Sequence, residues 1–371
     1  MTPIYYSQEA RAYSFIMLCA ALSTYWLIDV ADALLRRRAP PIFAAAGYVA
    51  IAVAASYAHY FGLFFVALQG AFVGVLLLVR KGSWPWLGLI YGAIVLAYAP
   101  WLGRASTSLA GGSPAWLTPP KPSWIWDCIR FMFNQSNELT LAFVGLGGVA
   151  LTLELWRTRA EPQRLQRALS SPTALLLVWV IAPIAIIYLR SVYVAPAFTN
   201  RNFLIVAPAL YLLVARAVVG LALPRVVTFA GVCLLTVLLV AHLVWWKDYY
   251  RRPTKDEFRQ AAAYLVARDD PAAVAVVLAA AWNRHYFDYY LERLGSPRRV
   301  DRLAVAADDA DPVIRLIDEK APDHVWFLAA HRSPDRRLVD ALKRRFRVID
   351  ERHFAFAHAW RFRYERKPST H

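Results

Sequence analysis

The chain of 371 residues is 58% hydrophobic, and its mean hydropathy is +0.36. A soluble domain has only about 45–50% apolar residues, so the composition excludes a soluble protein and predicts a polytopic membrane protein. The net charge of +16 does not call for nucleic acid, because the basic residues of the apolar part lie in short loops, as membrane topology requires. Three cysteines are too few for a disulfide framework, and we expect no metal or redox cofactor.

The acidic residues divide the chain into two parts. Only seven of the 26 acidic residues precede Lys247. We therefore predict a multi-span transmembrane domain over residues 1–246 and a soluble domain over residues 247–371.

Eight apolar segments approach the ~20 residues that a membrane helix needs. They cover residues 12–30, 42–57, 61–79, 84–102, 139–156, 173–189, 203–221 and 226–246. The second and third segments are separated only by residues 56–60, but together they are too long for one crossing. The sequence therefore predicts a sharp turn near His59.

The loop charges predict the orientation, because Lys and Arg accumulate on the cytoplasmic side. Basic residues follow the first, third and fifth segments, namely Arg36, Arg37, Arg38, Arg80, Lys81, Arg157, Arg159, Arg164 and Arg167, and Arg216 and Arg225 flank the end of the seventh. The outer side then carries residues 1–11, the loops 103–138 and 190–202, and the whole tail. An amino terminus that starts outside without an export signal leads us to expect that a preceding segment is missing.

The tail has the alternating helix and strand patterns of a small α/β domain. Thr254 and Glu257 have the spacing of a capping box at the start of a helix. Buried strands are predicted at 273–279 and 324–329, and a half-buried strand at 354–364. Helical patterns cover 283–294, 312–320 and 334–345, and the tail has no Gly-rich phosphate loop.

A dense polar group precedes the first predicted span. It contains Gln8, Glu9, Arg11 and Tyr13. In a functional interpretation, Arg11 binds a phosphate through its planar guanidinium, and Glu9 orients a sugar hydroxyl or a second base. In the structural alternative, the group caps the helix and its tyrosines anchor the headgroup region.

Two further groups are expected on the same outer side. His59 and Tyr60 lie where two short spans meet, so His59 either contacts a ligand or satisfies backbone groups left free at the break. Arg201 ends the short outer loop and directly precedes a span. It either clamps a lipid phosphate or extends to the headgroups without a specific partner. Arg190 has the same two interpretations, and the second is favoured.

The long outer loop is rich in proline and tryptophan. Trp116, Trp124 and Trp126 fit interfacial anchors, or a segment that lies on the membrane and gates a cavity. No Asp or Glu lies in the middle of a predicted span, which argues against an ion-coupled transporter.

Three stretches resemble the bacterial relatives of glycosyltransferase family 39, which includes protein O-mannosyltransferases and lipid A aminoarabinose transferases. Residues 5–13, Tyr-Tyr-Ser-Gln-Glu-Ala-Arg-Ala-Tyr, resemble the family's Ser-Gln-Glu-Ala-Arg-x-Tyr stretch. Residues 58–62, Ala-His-Tyr-Phe-Gly, resemble its Thr-His-Tyr-Phe segment with Ala58 in place of Thr. Residues 196–210 resemble its Pro-x-Phe…Arg-Tyr-Leu…Pro-Ala-Leu stretch, with Asn202 where Tyr is common.

The resemblance implies a GT-C fold and transfer of a sugar from a polyprenyl-phosphate donor to an acceptor on the outer face of the bacterial inner membrane. It implies a donor site formed by Gln8, Glu9, Arg11, Tyr13, His59, Tyr60 and Arg201, with membrane lipid as a further partner. The family's acidic catalytic residue lies in the first outer loop, after the first span, and would here precede Met1. We therefore expect the catalytic residue to be missing and the chain as given to be inactive.

Two other functions are compatible with the sequence. One is a non-enzymatic membrane protein, either a transporter of lipid-linked saccharides or an inactive relative in cell-envelope assembly. The other is a ligase-like or polymerase-like transferase, for which a larger central outer loop would be expected.

Overall fold

The architecture was examined in a computed structural model of the chain. The structure describes residues 12–110, 117–157, 171–251, 256–268, 274–278, 283–295, 324–330, 336–355 and 357–364, with isolated positions between 311 and 319. Contacts between residues divide the chain into two compact units, Met1–Leu239 and Val240–His371.

Helices make up nearly all of the described part of the first unit. They are α1 (Tyr13–Leu35), α2 (Ile42–Ala58), α3 (Tyr60–Arg80), α4 (Pro85–Tyr98), α5 (Leu102–Ala110), α6 (Ser123–Met132), α7 (Asn137–Arg157), α8 (Pro172–Tyr193), α9 (Ala207–Gly220) and α10 (Arg225–Ala241). A short 3₁₀ segment, Ala99–Trp101, joins α4 to α5, and another, Asn200–Val206, leads into α9. A π-helical turn, His242–Trp246, follows α10.

Six helical stretches among the described residues are long and apolar enough to cross a membrane. They are Tyr13–Leu35, Tyr60–Arg80, Pro85–Arg104, Pro172–Tyr193, Asn200–Gly220 and Arg225–Trp246. Helix α2 is apolar but shorter, with 17 residues. A polytopic helical membrane protein is therefore supported, whereas the predicted number of eight spans stays a prediction.

The turn predicted near His59 is present. His59 has an extended backbone (φ −168°, ψ 149°) that ends α2 and starts α3. Gly62 makes the sharp reversal possible, because a Cβ at this position would lie 2.0 Å from the Ala55 carbonyl oxygen. Backbone atoms cannot rotate away, so a side chain at residue 62 would force the two helices apart.

A buried polar network joins the first four helices. The Gln69 amide of α3 donates to Ser23 Oγ at 3.0 Å and Thr24 Oγ1 at 2.9 Å, both on α1. Tyr48 of α2 donates to Gln69 Oε1 at 3.3 Å, and its hydroxyl lies 2.6 Å from that of Tyr91 on α4. Apolar side chains attract helices to one another no better than lipid tails do, so such hydrogen bonds help to fix which helices are neighbours.

The second unit contains a four-stranded sheet. Its strands are β1 (Val274–Leu278), β2 (His324–Ala330), β3 (Phe346–Phe354) and β4 (Ala357–Tyr364), and its helices are α11 (Phe258–Arg268), α12 (Asn283–Arg293) and α13 (Arg336–Arg345). The strand order is β1-β2-β4-β3; β1 pairs with β2 in parallel and the other pairs are antiparallel. Trp326 and Leu328 of β2 pack against α11 and α12 in one buried cluster.

Two details of the tail differ from the sequence interpretation. Glu257 lies just before α11, which begins at Phe258 and so later than predicted, and its carboxylate accepts the N–H of Ala355 at 2.8 Å, so it ties the helix start to the sheet. Thr254 and most of the predicted helix 312–320 lie outside the described residues. Strand β3 was not predicted, because Phe346–Phe354 is an edge strand and its charged residues hide the apolar alternation.

We predict that Gln69→Leu destabilises the transmembrane unit. The substitution removes three hydrogen bonds and leaves Tyr48 without its amide acceptor. Interhelical hydrogen bonds in membranes contribute about 0.6 kcal/mol on average, so we expect a loss of roughly 1–2 kcal/mol, which thermal unfolding in detergent would measure. Gln260→Leu is the control because Gln260 is exposed on α11. Equal melting temperatures for the two variants would contradict the prediction.

Candidate functional site

The structure brings three of the predicted site residues to one small recess. Tyr13, His59 and Arg201 line it together with Asn202 and four apolar residues, Ile16, Phe61, Leu204 and Ile205. These residues come from the start of α1, the α2–α3 break and the 3₁₀ segment before α9. The predicted residues Gln8, Glu9 and Arg11 lie outside the described residues.

His59 has a structural role at the recess. Its Nδ1 accepts the N–H of Phe61 at 3.1 Å and thereby caps the start of α3. Burial of the ring is the main cause that lowers the pKa of His59, and the positive charge of Arg201 lowers it further. His59 lies between α2 and α3 and belongs to neither helix. The imidazole is therefore neutral at pH 7, and because Nδ1 is an acceptor, its proton is on Nε2. The Nδ1 atom therefore has the capping role of the structural interpretation. The Nε2–H group is a hydrogen-bond donor.

Aromatic packing orients the His59 ring. The ring lies 5.8 Å from that of Tyr13 and 5.6 Å from that of Phe61, measured between centroids. Phe61 in turn packs edge-to-face on Phe203, which is fully buried in the 3₁₀ segment that carries Arg201. The break between α2 and α3 and the segment before α9 are therefore held against each other by apolar contact.

The segment that presents Arg201 is held on both sides. After Arg201, the indole of Trp179 on α8 donates to the carbonyl of Ile205 at 2.9 Å. Before it, Phe198 is buried against Phe203 with 4.7 Å between ring centroids. These contacts fix the backbone of Arg201, which lies in the 3₁₀ segment before α9.

Arg190 lies in the last turn of α8 and contacts the loop that follows. Its Nη1 donates to the carbonyl of Ala195 at 2.9 Å, and the neighbouring Ser191 hydroxyl accepts the N–H of Ala197 at 3.0 Å. The side chain therefore closes the loop after α8, which differs from the free extension to headgroups favoured by the sequence interpretation. No local pattern in the sequence predicts this contact, because it depends on the loop conformation.

Tyr60 lies beside the recess but does not line it. Its ring is 6.4 Å from that of His59, and 39% of the residue is exposed.

Among the predicted aromatics of the long loop, the ring of Trp124 of α6 lies 6.5 Å from that of Phe198, and the indole of Trp126 donates to Asn137 Oδ1 at 3.3 Å. Trp116 lies outside the described residues.

The recess combines a cation, a neutral imidazole donor and a phenol, a set that suits an anionic group. None of the eight lining residues among those described is a carboxylate. The recess is too narrow to hold a water molecule, so a ligand would bind at its rim or require the walls to separate. Asn202, which the sequence singled out only as a departure from the family pattern, is part of this wall and donates to the Ala197 carbonyl at 3.4 Å.

We predict that His59→Ala lowers the free energy of unfolding by about 1 kcal/mol, the usual cost of losing an N-cap. His59→Asn restores a good cap and should keep most of the stability. Thermal unfolding of the two variants measures the difference. Equal losses for both would show that the Nδ1 contact does not stabilise the break.

Comparison with models of known protein families, with curated proteins and with solved structures gives no match to this chain. The resemblance to glycosyltransferase family 39 therefore rests on the sequence motifs alone.

Proposed function

We propose that the protein is an integral membrane glycosyltransferase that moves a sugar from a polyprenyl-phosphate donor to an acceptor on the outer face of the bacterial plasma membrane. One observation supports this most directly: Arg201, His59 and Tyr13, which the sequence motifs singled out separately, line the same recess. These residues lie in three distant parts of the chain. Their meeting in one recess fits a shared role in binding the donor phosphate.

In the proposed reaction, the acceptor oxygen forms a bond to the sugar C1 as the bond from C1 to the phosphate oxygen breaks. The polyprenyl phosphate leaves as an anion, and the guanidinium of Arg201 stabilises the charge that develops on it. His59 Nε2–H is a second donor to the same phosphate. The carboxylate base that takes the acceptor proton is not assigned to any described residue.

A second candidate is a protein that binds or carries a lipid-linked saccharide without cleaving it. The absence of a carboxylate among the described lining residues favours this alternative. Release of polyprenyl phosphate from a radiolabelled donor by the purified full-length protein separates the two: the transferase releases it in the presence of an acceptor, and the carrier does not.

We predict that Arg201→Ala weakens binding of a polyprenyl-phosphate sugar by about 10- to 100-fold. This corresponds to loss of a charge-assisted hydrogen bond of roughly 1.5–3 kcal/mol. Arg104→Ala is the matched control, because Arg104 is an exposed arginine that stacks on Trp101, 5.3 Å from the ring centroid. Binding to detergent-solubilised protein would be measured by titration. Wild-type affinity in Arg201→Ala would refute the donor site.

His59→Asn tests whether the imidazole contacts the donor. Because asparagine preserves the cap, its stability effect is small, and any loss of donor affinity belongs to Nε2–H. We expect affinity to fall about 5- to 10-fold, as for one neutral hydrogen bond. Unchanged affinity would leave His59 with a structural role alone.

We predict that the tail faces the outside of the cell. In a background without native cysteines, Gln260→Cys should react with a membrane-impermeant maleimide in intact cells. Arg38→Cys, in the loop after α1, should react only after permeabilisation, because basic loops stay in the cytoplasm. Both positions are exposed. The reverse labelling pattern would overturn the orientation.

A further inference from the structure

A large apolar cavity lies between α1, α7, α8 and α9, apart from the recess of Arg201. Its volume is about 1080 Å³, which is above the ~300–1,000 Å³ of most small-molecule pockets. On α9 it extends from Leu210 to Gly220. Ten residues of helix span about 15 Å, which is half of the ~30 Å hydrocarbon core of a bilayer. The cavity therefore has the depth of a single leaflet.

The cavity is open at the side of the bundle. Several lining side chains are also exposed, including Tyr25 (62%), Leu212 (52%) and Val219 (74%). Hydrophobic molecules in the bilayer can therefore enter laterally.

Two glycines of α7 form part of the wall. A Cβ built at Gly147 or Gly148 meets no atom within 4 Å. These two glycines therefore differ from Gly62, because they are not needed for close packing of helices. They leave space that a larger side chain would fill without displacing a neighbouring helix.

One end of the cavity is positively charged. Thr173 lies in the first turn of α8, where Ser171 caps the helix by accepting the N–H of Ala174 at 3.1 Å. Arg216 of α9 donates from Nε to Thr173 Oγ1 at 2.6 Å, and its side chain is exposed at the lip of the cavity. The partial positive charge of the helix start and the guanidinium thus act at the same place.

We propose that this cavity is a binding site for an anionic two-chain phospholipid from the leaflet on the Arg216 side. The acyl chains fill the apolar space, and the phosphate lies against Arg216 and the start of α8. Arg216 lies beside the start of α8, and Arg201 follows shortly after its end at Tyr193. The two arginines are therefore at opposite ends of the bundle. The site therefore differs from the proposed donor site, and it does not depend on the proposed function.

Lipid titration of the purified protein in a neutral detergent, followed by native mass spectrometry, tests the proposal. We expect phosphatidylglycerol to bind at least about tenfold more tightly than phosphatidylcholine, a difference of ~1.4 kcal/mol. Gly148→Phe should lower the affinity for phosphatidylglycerol at least about tenfold by filling the cavity. Gly145→Phe is the matched control: Gly145 is on the same helix and faces open space but does not line the cavity.

Arg216→Gln tests the charged end separately. It should remove the preference for phosphatidylglycerol while leaving the affinity for phosphatidylcholine unchanged. Gly147→Phe is a second filling variant in case Gly148→Phe does not fold. Wild-type binding in a folded filling variant, equal loss in Gly145→Phe, or tighter binding of polyprenyl phosphate than of phosphatidylglycerol at this cavity would each overturn the proposal.

Discussion

The break between α2 and α3 is the constraint on which the transmembrane unit depends. Chain reversal inside an apolar region leaves backbone N–H groups without partners, and in lipid each such group costs several kcal/mol. Here the His59 imidazole accepts the N–H of Phe61, and Gly62 lets the two backbones approach closely. The same reversal sets His59 against Tyr13. One local solution to a hydrogen-bonding problem thus also builds the recess.

Helix α3 connects this break to the other helices of the first unit through hydrogen bonds of Gln69. Gln69 lies ten residues after His59, and it binds Ser23 and Thr24 of α1 and Tyr48 of α2. A polar side chain buried among apolar helices has few alternative partners, so this network selects one register of α3. The register places Phe61 against Phe203, and hence the segment of Arg201 beside His59.

The first unit has two sites of different character. The recess of Arg201 is narrow and combines polar with apolar side chains, and its residues are held by a helix cap and aromatic contacts. The cavity of Arg216 is wide and apolar, because glycines of α7 leave its wall open. Both have an arginine at the boundary, where a guanidinium can meet a phosphate while its stem contacts apolar groups. An arginine at a membrane boundary therefore does not by itself identify a catalytic site.

The sequence by itself determined the long apolar helices, the turn at His59 and the strands β1 and β2, because length, hydropathy and periodicity are local properties. It did not predict the short helices α5 and α6, which lie in the stretch interpreted as a long outer loop. It also singled out Tyr13, His59 and Arg201 separately. Only the tertiary structure decided that these residues meet, that Arg190 closes the loop after α8 and that Glu257 accepts the N–H of Ala355. These outcomes depend on contacts between residues far apart in the chain or on loop conformation. The large cavity is likewise formed by several helices together, so no local sequence pattern predicts it.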